Sequence, residues 1–282
     1  MAIFMVKPWY KKSAPVRQGI WVPKTWNGLS NFYGNDVWTD GTNIYYSSTS
    51  SAQYVLDKST STWTKKTWSG LASTVGLTGR DIWTDGTNIY YSAWDNSASK
   101  SYQYTLNPST SRWTSITWPN SKYPNYGRYI WTDGTNIYFS SSGGQYELDK
   151  SNLTFINKTW TNKPGNLSGE DVWTDGVNVY YCRYPGYGSG GENYILNKNT
   201  SSWSNVSLGV IYLSGQDVWT DGSDIYYSYS SSGYSGQKIF NKSNSTFVDK
   251  TWTGLTTFDG RYIWHDGNHI YYSQYTNHYE LI

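Results

Sequence analysis

Six aspartates of this chain share one position in a repeated string, W-T-D-G or W-H-D-G: Asp40, Asp85, Asp133, Asp175, Asp221 and Asp266. Carboxylates can ligate metals or transfer protons, so a ring of them could form a reaction centre. An aspartate before glycine is also typical of a hairpin turn, where it accepts hydrogen bonds from its own backbone. Because six equivalent copies suit six turns better than one centre, we interpret these aspartates as structural.

The histidines and the cysteine do not suggest a metal or redox site. His265 and His269 replace Thr39 and Asn43 of the first repeat, and His278 falls in the expected last loop without a thiol or carboxylate at metal-ligand spacing. Cys182 is the only cysteine, which excludes an internal disulfide and a multi-thiolate zinc site. It replaces a serine of the repeated Y-Y-S triplet, so we expect a buried, inert thiol and predict neither metal nor cofactor.

Three arginines form a further set, because Arg80, Arg128 and Arg261 each follow a glycine that stands four residues before a repeat tryptophan. The other repeats carry Asn35, Glu170 and Gln216 there. Three guanidinium groups brought together could hold an anion or a carboxylate. Alternatively, each arginine pairs with a neighbouring acid or stacks on a tyrosine.

The repeat itself predicts the elements that position these residues. The tetrads begin at Trp38, Trp83, Trp131, Trp173, Trp219 and Trp264, 42 to 48 residues apart, which is the period of a propeller blade. Around each turn, segments such as DVWT and IYYS indicate two antiparallel strands. A third strand reads Tyr54–Asp57 in the first repeat, and a fourth carries Trp63 and Trp68.

The last repeat stops after its third strand, at Tyr279–Ile282. The missing strand is found near the start of the chain, where Trp21 and Trp26 stand at the same five-residue interval as Trp63 and Trp68. We therefore predict an all-β, six-bladed propeller over residues 20–282, with four antiparallel strands per blade. The N-terminal strand completes the last blade and removes an open sheet edge.

The sequence Y-x-L-D, followed by a short polar turn and tryptophan, resembles the kelch repeat over residues 20–282, although the Gly-Gly pair of many kelch units is absent. Kelch-like propellers include copper-radical oxidases, which need histidines on separate blades, whereas all three histidines here lie in the last repeat. A sialidase-type site would need an arginine triad with an acid and a tyrosine. We expect no enzyme, and a glycan hydrolase is the least favoured alternative.

The composition and the net charge limit the classes of partner that we expect for this chain. The net charge is +2 and only 15% of residues are charged, so we expect no nucleic-acid partner. No apolar run reaches the roughly 20 residues that cross a bilayer, and the N-terminus lacks a signal-peptide pattern, so we expect a soluble protein without membrane insertion.

Topology predicts two unlike faces, because the D-G turns lie on one face and the variable loops on the other. The variable loops are rich in Tyr, Ser, Gly and Asn, a composition typical of binding surfaces, although polar loops are also ordinary solvated connections. Our candidate ligand-binding residues there are Trp94, Tyr123, Tyr126, Tyr184, Tyr187, Tyr229 and Tyr234. We expect them to bind a protein or a surface glycan, as part of a larger assembly.

Residues 1–19 have no counterpart in the repeat and are expected to form a separate N-terminal arm. The arm carries Phe4, Met5, Trp9 and Tyr10, which could anchor the propeller in an assembly. The alternative function is therefore a structural subunit, and the composition resembles that of phage tail or head appendage proteins.

Overall fold

The structure is a computed structural model made of six four-stranded antiparallel sheets. It describes residues 19–29, 32, 37–48, 52–72, 76–78, 81–95, 100–118, 124, 126–141, 144–175, 177–183, 192–206, 218–221, 223–231, 234–244, 246–255, 258, 263–266, 268–274 and 277–282. The six-bladed propeller predicted from the repeat is confirmed.

Each sheet, or blade, is formed by strands consecutive in the chain, except the last. Blade 1 contains β2 (Val37–Thr39), β3 (Ile44–Ser47), β4 (Gln53–Asp57) and β5 (Thr62–Lys66). Blade 2 contains β6 (Ile82–Thr84), β7 (Ile89–Asp95), β8 (Lys100–Asn107) and β9 (Arg112–Ser115). Blade 3 contains β10 (Ile130–Thr132), β11 (Ile137–Ser141), β12 (Gly144–Asp149) and β13 (Thr154–Asn157).

The second half of the ring repeats this order. Blade 4 contains β14 (Val172–Thr174), β15 (Val179–Arg183), β16 (Glu192–Asn197) and β17 (Ser202–Asn205). Blade 5 contains β18 (Val218–Thr220), β19 (Ile225–Ser231), β20 (Tyr234–Asn241) and β21 (Thr246–Lys250). Blade 6 contains β22 (Ile263–His265), β23 (Ile270–Gln274), β24 (Asn277–Leu281) and, as its outer strand, β1 (Trp21–Pro23).

The closure of the ring by the N-terminal strand is confirmed. Trp21 pairs with Leu281 and Pro23 with Tyr279 in an antiparallel register. The amide of Ile282 donates to the Ile20 carbonyl at 2.9 Å, so both chain ends are held in one sheet. Because β1 occupies the edge of blade 6, the ladder that the last three strands would leave open is paired.

The core lies between the blades and is largely aromatic. Trp38 and Tyr45 of blade 1 pack in one buried cluster with Tyr91 and Trp113 of blade 2. Five further clusters join each remaining pair of neighbours, ending with blade 6 against blade 1. Trp68 was expected in the fourth strand, but it lies beyond the end of β5. It packs between blades 1 and 2, with its ring centroid 5.6 Å from that of Trp38.

The glycine four residues before each repeat tryptophan has a packing reason where the structure describes it. A Cβ on Gly127 would lie 2.2 Å from the Asp81 carbonyl oxygen of the preceding blade, and one on Gly169 would lie 2.3 Å from that of Tyr129. Neighbouring backbones therefore approach closely beside the innermost strands. Only a residue without a side chain fits this approach.

A buried polar chain fastens each of the first three blades to the loop that follows it. In blade 2, Trp83 Nε1 donates to Ser92 Oγ at 2.8 Å, and Ser92 Oγ donates to Gln103 Oε1 at 2.7 Å. Gln103 Nε2 then donates to the Pro124 carbonyl at 2.6 Å. In blades 1 and 3, Nε2 of Gln53 and of Gln145 donates in the same way to the carbonyls of Leu77 and Leu167. These bonds satisfy buried polar groups and fix the loops that lead into the next blade.

Candidate interaction surface

The antiparallel order of the strands places two kinds of connection on opposite faces. We call the side with the turns between first and second strands, and between third and fourth, the DG face. The side with the connections between second and third strands, and from one blade to the next, is the variable face. The two faces differ in how their polar groups are used.

On the DG face, the aspartate of each tetrad is engaged in its own turn. Asp133 Oδ1 accepts from the amides of Thr135 and Asn136 at 2.9 and 2.8 Å, and its Oδ2 accepts from the Tyr138 hydroxyl at 2.9 Å. The other five aspartates accept the same kinds of bonds. The carboxylates therefore shape six hairpins, as the turn chemistry indicates.

The electrostatics of these turns agree with a structural role. Burial acts to raise the pKa of Asp85, but hydrogen bonds from Asn88 and Thr87 outweigh it, so the pKa lies below its ordinary value. Burial, together with the nearby Asp85 charge, raises the pKa of the partner Tyr90 hydroxyl. The tyrosine thus stays a neutral donor to a charged acceptor, which is a stable arrangement rather than a proton-transfer pair.

Lysines add a link between blades on the DG face that sequence reasoning missed. Lys58, which follows β4, donates to the Asp266 carbonyl of blade 6 at 2.8 Å. Lys198 donates in the same way to Asp133 at 2.5 Å, and Lys242 to Asp175 at 3.5 Å. The sequence carries a signal for these bonds, since each of the three lysines directly follows the Asp or Asn that ends a third strand.

On the variable face, and within the residues that the structure describes, the second and third strands are longest in blades 2 and 5. Pairing in blade 2 continues to Asp95 opposite Lys100, and in blade 5 to Ser231 opposite Tyr234. Both ladders run three residues past the serine of the Y-Y-S triplet. In the other blades, the described part of the ladder reaches that position or one residue beyond it. At about 3.4 Å per residue, the two ribbons extend roughly 7 Å or more beyond the described ladders of the other blades.

These ribbons correct the expected placement of three candidate residues. Trp94 lies in β7, paired with Ser101, and Tyr229 and Tyr234 lie in β19 and β20, so none of the three is in a loop. The Trp94 side chain is half-buried. Since clusters join the blades in chain order, blades 2 and 5 stand opposite each other in the ring. The two ribbons therefore flank the mouth of the channel from opposite sides.

The remaining candidates are placed only in part. Tyr126 is half-buried, with its ring 5.9 Å from that of Tyr129 in an edge-on arrangement. The backbone of Arg128 lies in a short 3-10 turn, Gly127–Tyr129, just before β10. Outside the described residues lie Arg80, Arg261, Tyr123, Tyr184 and Tyr187, and the arm residues Phe4, Met5, Trp9 and Tyr10. The proposed gathering of three arginines therefore stays a prediction.

Two titratable side chains, one buried and one half-buried, have pKa values that burial shifts. The Cys182 thiol is fully buried and accepts from Trp173 Nε1 at 3.5 Å, and burial raises its pKa to about 12. His278 lies in β24 rather than in a final loop, which corrects its expected position. Burial lowers the pKa of His278 to about 4, so this imidazole is neutral near pH 7.

Within the described ranges, no group of three or more His, Cys, Asp or Glu side chains is arranged to hold a metal ion. The same ranges contain no helix that is long and apolar enough to span a bilayer.

Comparison with known proteins gives matches at the level of structure. No family model matches the sequence, and no curated protein matches it. The chain is similar to the extracellular domain of a proposed one-component system from B. thetaiotaomicron, with a TM-score of 0.50 and 15% identity over 87% of this chain. The extracellular domain of a proposed hybrid two-component system from the same organism gives a TM-score of 0.50 and 10% identity over 86%. The likeness is one of fold.

A third solved structure, TolB from Acinetobacter baumannii, matches over 90% of this chain with a TM-score of 0.44 and 17% identity. The matches cover 32%, 33% and 53% of the three compared chains, so this chain spans a third to about half of their lengths. At these identities, the two comparisons with a TM-score of 0.50 support the fold alone.

Proposed function

We propose that this propeller is a non-enzymatic interaction module that binds a protein partner, within a larger assembly, through its variable face. The observation that carries the proposal is the contrast between the two faces. Polar groups of the DG face are used in turns and blade-to-blade bonds, whereas the variable face carries two projecting ribbons around the channel mouth. Faces that vary on a rigid scaffold are where binding residues concentrate.

The chemistry of the variable face supports binding rather than catalysis. Trp94 is half-buried on the blade 2 ribbon, and the Tyr102 ring lies parallel to that of Tyr104 at 6.3 Å. Aromatic side chains give contact area at a low entropic cost, and the serines around them give adaptable hydrogen bonds.

A photo-crosslinking pair tests the face. A benzoylphenylalanine is placed at Trp94 on the variable face or at Thr87, which is exposed in a DG turn of the same blade. In extracts of the source cells, the Trp94 variant should give a defined crosslinked protein that the Thr87 variant does not. Equal crosslinking from both positions, or from neither, would count against the variable face.

A surface glycan is the second candidate ligand, because half-buried aromatic rings beside serine hydroxyls also suit stacking on sugars. A glycan array probed with the wild-type protein and with the Trp94→Ala and Tyr187→Ala variants distinguishes a glycan ligand from a protein partner. Glycan binding that both substitutions weaken would favour the sugar over the protein partner.

We also propose that residues 1–19 anchor the propeller, as in a virion-associated structural subunit. Gly19, the first described residue, donates to the Ile282 carbonyl at 3.0 Å, so the arm joins the propeller at the outer edge of blade 6. A variant lacking residues 1–17 should keep the melting temperature and lose assembly in sedimentation velocity. Unchanged sedimentation would remove the anchoring role.

A further inference from the structure

The first and last described residues meet on the DG face, in what we call the split turn of blade 6. In each of the five other blades, four residues join the third strand to the fourth, as residues 58–61 do in blade 1. In blade 6, Ile282 and Ile20 pair in the register of the residues that flank such a turn. Gly19 has a φ of +76°, and Ser61, the last turn residue of blade 1, has a φ of +53°. Gly19 therefore takes the place of the last turn residue, and the arm continues from it on the DG face.

Next to the split turn, blade 5 forms a notch of about 400 Å³ on the DG face. Its lining includes Asp224, Ile239, Lys242 and Val248. Ile239 is half-buried in the cluster that joins blade 5 to blade 6, and Val248 pairs with it in the neighbouring strand. The notch therefore faces blade 6. Val248 is 57% exposed, so much of its apolar surface is open to solvent.

In three other blades, a lysine at the start of the turn between third and fourth strands reaches the preceding blade. Lys58, Lys198 and Lys242 each donate to the carbonyl of the D-G aspartate there. The corresponding carbonyl on blade 5 belongs to Asp221, and the described part of the split turn contains no basic residue. Blade 5 also adds a charge, because Asp224 stands where four other blades have asparagine. The notch therefore offers a carbonyl and an extra carboxylate to a cation.

The N-terminal arm has the charge and the position to fill the notch. Residues 1–18 include four basic residues and no acidic one, so they complement the carboxylates there. Arg17 precedes Gly19 by two positions, and Lys58 precedes Ser61 by three, so a basic side chain stands close to the place that the lysines have in other turns. Every other undescribed stretch of two or more residues belongs to a connection of the variable face. The arm is therefore the undescribed segment that begins at the notch.

We propose that the arm completes the split turn in its own chain, with the Arg17 guanidinium held in the notch by the Asp224 carboxylate. A guanidinium matches a carboxylate through two parallel hydrogen bonds. Pro15 and Val16 precede it and provide apolar side chains to cover Val248. The arm then leaves from the DG face, so an anchored propeller presents its variable face away from the anchor. That orientation rests on the proposed anchoring role, whereas the docking does not.

Limited trypsin digestion followed by mass spectrometry tests the ion pair, by comparing cleavage after Arg17 with cleavage after Lys12 in the same arm. An exposed ion pair changes an equilibrium by about two- to fivefold, so Asp224→Asn should speed cleavage after Arg17 by that factor and leave cleavage after Lys12 unchanged. Asparagine is the residue of four other blades, so the variant should fold as the wild type does. The control Asp149→Asn, at the end of a third strand in blade 3, should change neither rate. An unchanged rate after Arg17 in Asp224→Asn would overturn the ion pair.

A disulfide test shows which chain supplies the arm. Arg17→Cys is combined with Ser223→Cys, an exposed position in the notch, and the protein is oxidised at low concentration. We expect a disulfide within one chain, since the buried Cys182 thiol does not compete, whereas Arg17→Cys with Ser151→Cys, exposed in blade 3, should stay reduced. A disulfide-linked dimer would assign the notch to a second copy's arm and overturn docking within one chain, as would no disulfide or equal oxidation of both pairs. Neither result changes crosslinking at Trp94, so a failure of the docking is distinguishable from a failure of the proposed function.

Discussion

Replacing His278 with glutamine should make the protein more stable than the wild type in acid and leave its stability near pH 7.5 unchanged. The other third strands carry an amide at this position: Gln53, Gln103, Gln145, Asn193 and Gln237. The His278 carbonyl accepts from the Lys24 amide at 2.7 Å, so the residue lies in the strand that the N-terminal segment pairs with. Its ring lies 5.5 Å from that of the buried Phe32. A charge on this imidazole is therefore introduced at the closure of the ring.

The size of the effect follows from the pKa. Burial lowers the pKa of His278 from 6.5 to about 4, so the unfolded chain binds a proton at a pH where the folded chain does not. Stability from this residue is fully present above about pH 6.5 and is lost as the pH falls toward 4. Such a difference converts to about 3 kcal/mol. Because the ring is partly exposed, solvent screening reduces the expected loss to roughly 1–2 kcal/mol.

Urea unfolding followed by tryptophan fluorescence, at several pH values between 7.5 and 4.2, measures this loss. Wild type and His278→Gln should have similar stability at pH 7.5, and the variant should be more stable by about 1–2 kcal/mol at pH 4.2. The aspartates with lowered pKa, including Asp40 and Asp266, weaken both proteins alike in acid. His269→Asn, at an exposed position, serves as the control for losing a histidine. Parallel pH profiles for wild type and His278→Gln would refute the reasoning.

Substitutions at three further positions, Gly127, Cys182 and Trp21, test the packing. Gly127→Ala should destabilise by about 1–3 kcal/mol in urea unfolding, because its Cβ meets a backbone carbonyl, whereas Gly165→Ala, in open space, should be neutral. Cys182 should resist a thiol reagent at pH 8 until the protein unfolds, and Cys182→Ser should keep the melting temperature, since serine is the residue of the other repeats. Trp21→Ala should cost about 3–5 kcal/mol, while Trp21→Phe should cost far less, because Phe155 fills the same position in blade 3.

Much of the fold could be predicted because its determinants are local and repeated. The D-G motif predicts the turn between the first two strands, Y-x-L-D predicts the third strand, and the W-x-x-x-x-W interval predicts the fourth. The period at which these motifs recur predicts the length of one blade. Ring closure was predictable because the missing fourth strand and the spare Trp21–Trp26 segment complement each other. The confirmed pairing of Trp21 with Leu281 rests on that complement.

The site was less predictable because its features depend on pairing between strands. Ser228–Ser231 and Tyr234–Gly236 read as loop, since serine, glycine and tyrosine show no alternation of apolar and polar residues. They are strands because β19 and β20 extend an established ladder. In the same way, Trp68 was assigned to a strand although it fills the space between blades, which only the packing of two repeats reveals.

The same rule of repetition separates structure from function on this surface. A residue present in every blade, such as the aspartate of the D-G turn, serves a need that every blade has, and the structure shows that need to be a hairpin. Within the described ranges, the long ribbons occur in blades 2 and 5, which stand opposite each other, so they answer no need common to every blade. Their length agrees with the proposal that a partner binds at the channel mouth.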